Sequence, residues 1–598
     1  MNAKRFLQIS VLLLVSSVAF AQSANEPNVA KIQQHVSYLA SDALDGRRTG
    51  TAGANDAARY VAGEFARLGL KPGDSAPAAR RREVMARFLQ QFPYVAGVEL
   101  RAGNELKLTR ESGAQTLRVG DDWMPLGFSS NAKITGGIVF VGFGITASEQ
   151  NYDDYAGVNI KDAVAIALQG TPDGDNPHGR FARYEGIRWK AIAARNAGAK
   201  ALIVVARDSD FKNEKLAKLT YDHDGEAGIP VAVISRKSVD SLLGDSTLSE
   251  WEKPQAAKQT LSGQVNLSVD VLRKEVAAYN VVGVLEGSDR VLKNETIVIG
   301  AHYDHLGRGG SGSLATRAGE IHHGADDNAS GTAGVLELAR LLTSQRPRPK
   351  RTIVFIAFGG EEEGLLGSNY YVNNPVTPLN SVVAMINMDM IGRMKDRKLV
   401  IGGVGTAKEW RDMIAQGTTD PARKFELTLN EDGFGPSDHS SFYGKQVPVL
   451  FFWTGTHNDY HKPSDTFEKI NYDDEVRILN LVSYIVKQLD SADKRVTYTT
   501  AKTDPAPRTG GFRVYLGTIP NYGDTNDGLL IDGVRDDSPA AKAGLKAGDR
   551  IVKIGARDVK NVYDYTYALG EMKAGEEYVV EVVRGKERLT LKITPISR

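Results

Sequence analysis

Short apolar runs alternate with amphipathic segments between about Val276 and Leu489. The runs TIVIGAH, RTIVFIAF, SVVAMINMD and VPVLFFW have the length and composition of buried strands. Segments with helical spacing, such as SGTAGVLELARLL, separate them, and DEVRILNLVSYIVKQL follows the last. Continuous apolar strands that alternate with helices are typical of a largely parallel sheet covered by helices on both faces. The pattern therefore predicts an α/β fold for this region.

The remainder of the chain divides into regions of different periodicity. Residues Ala30 to Leu70 predict two helices around the loop LASDALDGRRTGTAG. Residues 120–272 contain shorter strands and an isolated helix, which predicts a small α/β unit. A polar linker follows Asp490, and the last hundred or so residues predict a β-rich unit with one short helix near Pro539.

Length and charge narrow the range of functions. A chain of 598 residues is expected to contain several domains. The 74 basic and 73 acidic residues nearly cancel, so the charge offers no basis for binding nucleic acid or an anionic membrane. The chain has no cysteine, which excludes disulfides and thiolate chemistry.

The amino terminus has the features of a secretory signal peptide. Lys4 and Arg5 precede an apolar run at Val11–Val15, and a small-x-small pattern ends at Ala21. The run is shorter than the roughly 20 residues that span a bilayer, and no comparable run follows. We therefore expect cleavage after Ala21 and an exported protein, periplasmic or secreted, without a membrane span.

Side chains that bind metals occur at or near the ends of the predicted strands, in the contexts GAHYDH, GADDNASG, FGGEEEG, NMDM and DYHKPSDT. They are His302, Asp327, Glu361, Glu362, Asp389 and His461. Two histidines and three carboxylates suit a pair of zinc ions that share one carboxylate, and an additional carboxylate is what a metal-activated water needs as a base. Asp304, two residues after His302, is placed to accept the second imidazole N–H. This combination predicts a two-zinc hydrolase.

These five contexts, in this order, resemble the zinc aminopeptidase and glutamate carboxypeptidase family (metallopeptidase family 28), whose fold is the phosphorylase/hydrolase-like zinc exopeptidase fold. The middle segment resembles the protease-associated (PA) domain that many members carry. The last segment resembles a PDZ domain, most clearly in SPAAKAGLKAGDRIVKIG. The resulting expected layout is 1–21 signal peptide, 22–119 amino-terminal part of the peptidase domain, 120–272 PA domain, 273–490 catalytic domain, 491–510 linker and 511–598 PDZ domain.

The resemblance also implies how two zinc ions would be held. Asp327 would bridge both ions, with His302 and Asp389 completing one site. Glu362 and His461 would complete the other. Cobalt or manganese suits such ligands as well, so the donor types do not fix the metal.

Two further roles follow from the resemblance. Glu361 would be the general base, and Tyr460 would hydrogen-bond the developing oxyanion, although a packing role for Tyr460 stays open. Asp326 is expected to be a turn or capping residue. The motif SDHSSF lies beside the substrate pocket in the family, so Asp438 or His439 would shape specificity. The remaining histidines near the motifs are expected to serve packing or surface roles: His305, His322, His323 and His457.

The leading prediction is an exported two-zinc aminopeptidase that acts on peptides. A carboxypeptidase of the glutamate carboxypeptidase type is the nearest alternative, with Arg393 or Arg308 as candidates to hold an acidic carboxyl terminus. A glutaminyl cyclase-like reaction and a non-catalytic peptide-binding protein are more distant alternatives. In the PDZ-like unit, Tyr515–Thr518 would hold peptide carboxyl termini, unless the module only stabilises the enzyme. The sequence leaves the oligomeric state open.

Overall fold

The structure is a computed structural model, and it describes residues 26–598 apart from short segments. These segments are 74–84, 112, 148–149, 175–179, 208–218, 220, 222–225, 240–247, 253–257, 311, 316, 502–513, 521–526, 535–537, 561–563, 566–567, 570–571 and 598. The predicted signal peptide, residues 1–21, lies outside the described residues. The chain forms two compact units. The first contains the chain up to Tyr94 and Val276–Ala506, and the second contains Val95–Glu275 and the chain from 507 on.

The amino-terminal half contains elements of both units. It begins with α1 (Val29–Leu39), α2 (Ala52–Arg67), β1 (Lys71–Pro72) and β2 (Leu89–Leu100). It continues with β3 (Glu105–Arg110), β4 (Gly113–Leu117), β5 (Trp123–Pro125), β6 (Ala132–Phe140), β7 (Thr146–Ala147), β8 (Tyr152–Asp153), β9 (Val164–Leu168), α3 (Ile187–Asn196), β10 (Ala201–Val205), β11 (Val231–Ile234), α4 (Leu248–Trp251) and β12 (Gln259–Val269).

The carboxy-terminal half completes the two units in turn. The first unit contains β13 (Val271–Leu285), which begins in the second unit, and then β14 (Thr296–His302), α5 (Gly331–Ser344), β15 (Thr352–Phe358), α6 (Leu366–Asn373), β16 (Val382–Met388), β17 (Lys398–Gly402), α7 (Trp410–Gly417), β18 (Glu426–Leu429), α8 (His439–Tyr443), β19 (Val449–Trp453) and α9 (Tyr472–Ser491). The second unit ends with β20 (Val514–Tyr515), β21 (Thr518–Pro520), β22 (Leu529–Val534), α10 (Pro539–Lys542), β23 (Arg550–Ile554), β24 (Arg557–Asp558), β25 (Tyr578–Arg584), β26 (Glu587–Ile593) and β27 (Ile596–Ser597).

The first unit is built on a nine-stranded sheet with the order β1-β13-β15-β14-β16-β19-β17-β18, in which β2 also pairs with β13. The four central strands, in the order β15, β14, β16 and β19, are parallel to one another. Strand β13 is antiparallel to both β1 and β15, and β17 is antiparallel to β19. The α/β class predicted from the sequence is confirmed, and the sheet itself is mixed. Buried apolar runs look alike in parallel and antiparallel neighbours, so the pattern alone does not reveal the flanking strands.

The central strands are buried on both faces because helices cover both. On β14, Ile297 and Ile299 pack into one apolar cluster with α1, α2, α5 and α9, whereas Val298 packs into another with α6 and α8. This alternation is the two-residue period of a strand. The two helices predicted on either side of the amino-terminal loop are confirmed as α1 and α2.

The inserted segment of the second unit forms an eight-stranded sheet with the order β4-β3-β12-β6-β9-β10-β11-β5. Strands β6, β9, β10 and β11 are parallel, and β3 pairs antiparallel with β12. The inserted segment runs from Val95 to Glu275, whereas the sequence predicted a segment at 120–272. Because β3 and β4 hydrogen-bond into this sheet, they belong to the inserted segment in the structure.

The carboxy-terminal strands form a small β-rich domain in the same unit, and α10 occupies the predicted position of its short helix. The guanidinium of Arg195, at the end of α3, pairs with the fully buried carboxylate of Asp564 in this domain. A buried pair of this kind holds its two partners in one geometry. None of the helices among the described residues has the length and apolar character to cross a membrane.

Candidate metal centre

Three of the predicted ligands lie where adjacent parallel strands end. His302 is the last residue of β14, and Asp389 directly follows β16. Glu361 and Glu362 come three and four residues after Phe358, the end of β15. Because β14 pairs in parallel with both β15 and β16, these side chains meet at the carboxyl edge of one sheet.

Asp327 is brought to the same edge by the turn that begins α5. This turn, Ala325–Ser330, is irregular, and the Asp327–Asn328 peptide bond is cis. The Asn328 amide donates to the carbonyl oxygen of Met388 at 3.0 Å, and its side-chain oxygen accepts the amide N–H of Met390 at 3.2 Å. These bonds connect the turn to the end of β16. A Cβ atom on Gly331 would lie 2.4 Å from the carbonyl oxygen of Met388, so glycine permits this close approach.

One group of donor atoms surrounds the Nε2 atom of His302. It lies 3.3 Å from Oδ1 of Asp389 and 3.5 Å from Oδ1 of Asp327. His302, Asp327 and Asp389 are all buried, and one donor atom of each lies within 4.8 Å of the others. This is the spacing of three ligands around a single cation.

A second group surrounds the other oxygen of Asp327. Its Oδ2 atom lies 3.1 Å from Nε2 of His461, and that nitrogen lies 3.5 Å from Oε2 of Glu362. The Nδ1 atom of His461 is 2.8 Å from the carbonyl oxygen of Gly312, an acceptor that favours the tautomer with Nδ1–H. Asp327 therefore presents one oxygen to each of two donor groups.

His305 also lies in this second group, although the sequence predicted a packing or surface role for it. Its Nδ1 atom is 2.7 Å from Oε1 of Glu362 and 3.8 Å from Oδ2 of Asp327. The ring is buried, and its Nε2 atom has no hydrogen-bond partner in the part of the chain that the structure describes. The sequence signal was the motif HYDH, which places one histidine at the end of β14 and the other three residues later. The second group thus contains two histidines, His305 and His461.

The two neighbouring glutamates face different groups. Oε2 of Glu361 lies 3.8 Å from Nε2 of His302, whereas Glu362 faces His305 and His461. Burial raises the pKa of Glu361 well above its usual value and that of Glu362 to about 7. Carboxylates crowded in a buried site favour protonation or a cation between them.

The histidines respond to this acidity according to their contacts. Burial lowers the pKa of His302, but Glu361 and Asp389 outweigh it and raise the pKa well above its ordinary value. Burial likewise opposes the charged form of His461, yet the bonds to Asp327 and Glu362 raise its pKa to about 9. In His305 burial dominates and lowers the pKa to about 3.

Asp304 contacts the ring of His302 more closely through its backbone carbonyl oxygen than through its carboxylate. Nδ1 of His302 is 3.2 Å from the carbonyl oxygen of Asp304 and 3.7 Å from its Oδ1 atom. The carboxylate instead accepts the Thr49 hydroxyl at Oδ2 (2.7 Å) and the amide N–H of Glu361 at Oδ1 (3.3 Å). Asp304 therefore contacts the Glu361 segment as well as His302.

Tyr460 lies against the second group. Its ring stacks on the His461 ring, with 3.8 Å between centroids. Burial, followed by the charges of Asp327, Glu362 and other carboxylates, raises the pKa of Tyr460 far above its ordinary value, so the hydroxyl stays protonated. A protonated phenol at this position is a hydrogen-bond donor.

Asp326 and most of the other histidines have partners of their own. The buried Asp326 accepts the amide N–H of Gly392 at 2.7 Å and faces Nε2 of His457 at 3.1 Å. The remaining contacts are Ser313 for His322, Asp42 and the Pro463 carbonyl for His323, and a stacked Phe451 ring for His439. Asp438 is fully buried, and burial raises its pKa to about 7.

The chain is similar to known peptidases. Residues 280–486 match peptidase family M28, and residues 499–594 match the PDZ domain. An aminopeptidase of Pseudomonas aeruginosa is 28% identical over 278 residues, which cover 44% of this chain and 45% of that protein. Aminopeptidase YwaD of Bacillus subtilis is 28% identical over 319 residues, or 51% of this chain and 60% of that protein. The chain thus spans about half the length of these curated relatives.

Among solved structures, the aminopeptidase from Aneurinibacillus sp. strain AM-1 aligns with a TM-score of 0.47 and 20% identity, over 81% of this chain and 97% of that one. The two family matches confirm the peptidase and PDZ parts of the resemblance found in the sequence. The chain carries a peptidase family M28 domain followed by a PDZ domain.

Proposed function

We propose that the protein is a metallo-aminopeptidase that binds two zinc ions. The observation that carries the proposal is the position of Asp327, whose two carboxylate oxygens face two separate donor groups. A carboxylate shared in this way is the bridge of a two-metal site. Histidine nitrogens and carboxylate oxygens, buried together, are donors that zinc accepts.

The residues would divide the work as follows. His302 and Asp389 would hold one ion, Glu362 and His461 the other, and Asp327 both. Bound zinc lowers the pKa of a coordinated water and polarises the substrate carbonyl. Glu361 lies 3.8 Å from Nε2 of His302 and would accept the proton of the attacking water and deliver it to the leaving nitrogen. The protonated hydroxyl of Tyr460 would donate to the oxyanion.

Two observations favour an aminopeptidase over a carboxypeptidase. The arginines considered for holding a carboxyl terminus already face acids. Arg393 donates to Asp459 at 3.0 Å, and Arg308 pairs with Asp45 at 2.8 Å. The relatives named above are aminopeptidases as well.

We further propose that the chain is exported after cleavage at Ala21, to the periplasm or the medium. The inserted segment would be a PA domain that limits which peptides reach the centre. In the PDZ domain, the backbone around Gly517, between β20 and β21, would hold peptide carboxyl termini. Calorimetric titration of the whole protein with a peptide and its carboxyl-amidated form tests this last point, because only the free carboxylate should bind.

A substrate panel tests the proposed activity. We expect cleavage of aminoacyl-p-nitroanilides with a free amino group and none of their acetylated counterparts. A chelator should abolish cleavage, and added zinc should restore it. Release of the last residue from amino-blocked peptides would contradict the aminopeptidase assignment, and full activity in excess chelator would contradict the metal.

A further inference from the structure

The glycine-flanked loop at Gly46–Gly50, sequence GRRTG, lies far from the ligands in the chain but against them in the fold. Gly46 has a φ of 69°, and a Cβ atom there would lie 2.3 Å from the carbonyl oxygen of Gly307. The Gly46 carbonyl accepts the amide N–H of Gly307 at 3.0 Å, and the Arg47 carbonyl accepts that of His305 at 3.3 Å. The loop is therefore paired with the segment that follows β14.

The side chain of Arg47 extends this contact to Asp327. It is fully buried, and its guanidinium donates only to backbone carbonyls among the described residues, those of Leu39, Tyr303, His323, Gly324 and Asp327. Tyr303 directly follows His302 in the chain. One side chain thus connects the backbone next to His302 with the backbone of Asp327.

Thr49 extends the contact to the glutamates. Its hydroxyl donates to Oδ2 of Asp304 at 2.7 Å and accepts the amide N–H of Gly360 at 3.0 Å. Oδ1 of the same Asp304 carboxylate accepts the amide N–H of Glu361 at 3.3 Å. Thr49 and Asp304 together bind two successive amide groups of the segment that presents Glu361.

A salt bridge adds a third point of attachment. Arg48 pairs with Glu363 at 2.8 Å, and the Glu363 side chain is only 12% exposed. The loop therefore contacts the three segments that carry His302, Asp327 and Glu361. These segments are separated from it by more than 250 residues of chain.

We propose that the Gly46–Gly50 loop positions the metal centre, and that Thr49 is the positioning residue that holds Glu361 in register with His302 through Asp304. This inference rests on the proposed function, because it assigns to Glu361 the role of base. A displacement of about 1 Å between a base and its substrate is enough to lower a rate about a hundredfold. Among the described residues, the hydroxyl of Thr49 hydrogen-bonds to Asp304 and Gly360 and to none of the donor groups.

The test uses Thr49→Val, which keeps the shape of the side chain and removes its hydroxyl, and Thr49→Ser, which keeps the hydroxyl. We expect Thr49→Val to retain both zinc ions and to lower kcat about 10- to 100-fold, with KM changed less than about threefold. In the cobalt-substituted protein, its visible absorption bands should shift, because the Asp304 contact next to His302 is altered. Thr49→Ser should restore kcat to within about threefold of the wild type.

Thr352→Val is the matched control. The Thr352 hydroxyl, at the opposite end of β15, also donates to an oxygen (Lys293 carbonyl, 2.7 Å) and accepts a glycine amide N–H (Gly287, 3.1 Å). The control therefore loses the same pair of bonds from the same sheet, away from the centre. Its kcat and cobalt spectrum should match the wild type.

Three results would overturn the proposal. They are a kcat for Thr49→Val no lower than that of Thr352→Val, a Thr49→Ser variant as impaired as Thr49→Val, and an unchanged cobalt spectrum in Thr49→Val. If Thr49→Val does not fold, Asp304→Asn tests the same connection, and a wild-type kcat in that variant is equally fatal. A wild type that binds cobalt but cleaves no peptide would contradict the proposed function, while its spectrum against that of Thr49→Val would still decide the role of Thr49.

Discussion

Parallel strands end at the carboxyl edge of each of the two large sheets, but the charged side chains there differ. One edge carries several carboxylates, and the other carries a lysine. In the first unit, β14, β15 and β16 end at or just before the residues that form the centre, which are His302, Glu361, Glu362 and Asp389. In the inserted segment, β9 and β10 end in parallel next to a cavity of about 240 Å³ that Gly170 and other residues line. Below it lies the fully buried Lys190, whose ammonium donates to the carbonyl oxygens of Phe143 and Gly170 at 2.6 and 2.7 Å.

The difference shows what turns a sheet edge into a site. In both sheets, the parallel strands create a crevice at their carboxyl ends. At one edge, charged donors of the same sign face one another and need a cation. At the other, the buried amino group of Lys190 already donates to two carbonyl oxygens and needs no further partner. Both of the groups of described residues that could hold a metal lie in the first unit.

The largest expected effect comes from removing the base at the first edge. We expect Glu361→Gln to lower kcat about 10²- to 10⁴-fold, because the amide cannot accept a proton from water. Zinc content, measured by elemental analysis, should stay at two ions. Glu426→Gln, on the exposed edge strand β18 of the same unit, is the control and should retain most of the activity. Unchanged turnover in Glu361→Gln would remove this residue from the mechanism.

Metal removal should distinguish the two units next. A cation bound only by the folded first unit stabilises that unit by about 3 to 4 kcal/mol at concentrations 100 to 1,000 times its dissociation constant. In scanning calorimetry, chelation should therefore lower the melting temperature of the first unit and leave the transition of the second unit in place. Equal shifts of both transitions would contradict the assignment of the metal to one edge.

A smaller effect should separate the two histidines of the second donor group. The Nε2 atom of His461 faces both Asp327 and Glu362, whereas Nδ1 of the buried His305 is already 2.7 Å from Glu362. We expect His461→Gln to lose one zinc ion and His305→Gln to retain two, with affinity about tenfold weaker. The reverse result in metal titrations would make His305 the ligand.

The smallest expected effect concerns the inserted segment. Burial lowers the pKa of Lys190 to about 7, from 10.5. Between these values the unfolded chain binds a proton that the folded protein lacks, so the stability of the wild type rises with pH. Relative to Lys190→Met, we expect the wild type to gain about 1 kcal/mol between pH 8 and pH 9 in urea unfolding. A difference that does not change with pH would show that Lys190 is not buried as a free amine.

The sequence predicted the elements that carry strong periodicity. The apolar runs before His302 and Asp389 mark strands, and side chains at the ends of neighbouring parallel strands must come close together. The periodic spacing of α2 and α9 was equally informative. Strong local patterns thus predicted which side chains meet at this sheet edge, and the structure brings their donor atoms together.

The supporting residues could not be found in this way. Arginine is usually exposed, and nothing around Arg47 in the sequence indicates that five carbonyl oxygens surround it. The position of His305 relative to Glu362 depends on how the chain turns after β14. Contacts of this kind arise from tertiary packing between distant segments, and periodicity carries no information about them.

The ion pair between Arg195 and Asp564 joins positions that are 369 residues apart, with the segment Val276–Ala506 of the first unit between them in the chain. Both units are therefore assembled from discontinuous stretches. A ribosome delivers Asp564 only after the whole Val276–Ala506 segment, so the inserted segment forms this contact late in synthesis. Equally, a protease that cuts once between the peptidase and PDZ domains would leave two fragments joined only by noncovalent contacts, of which this pair is one.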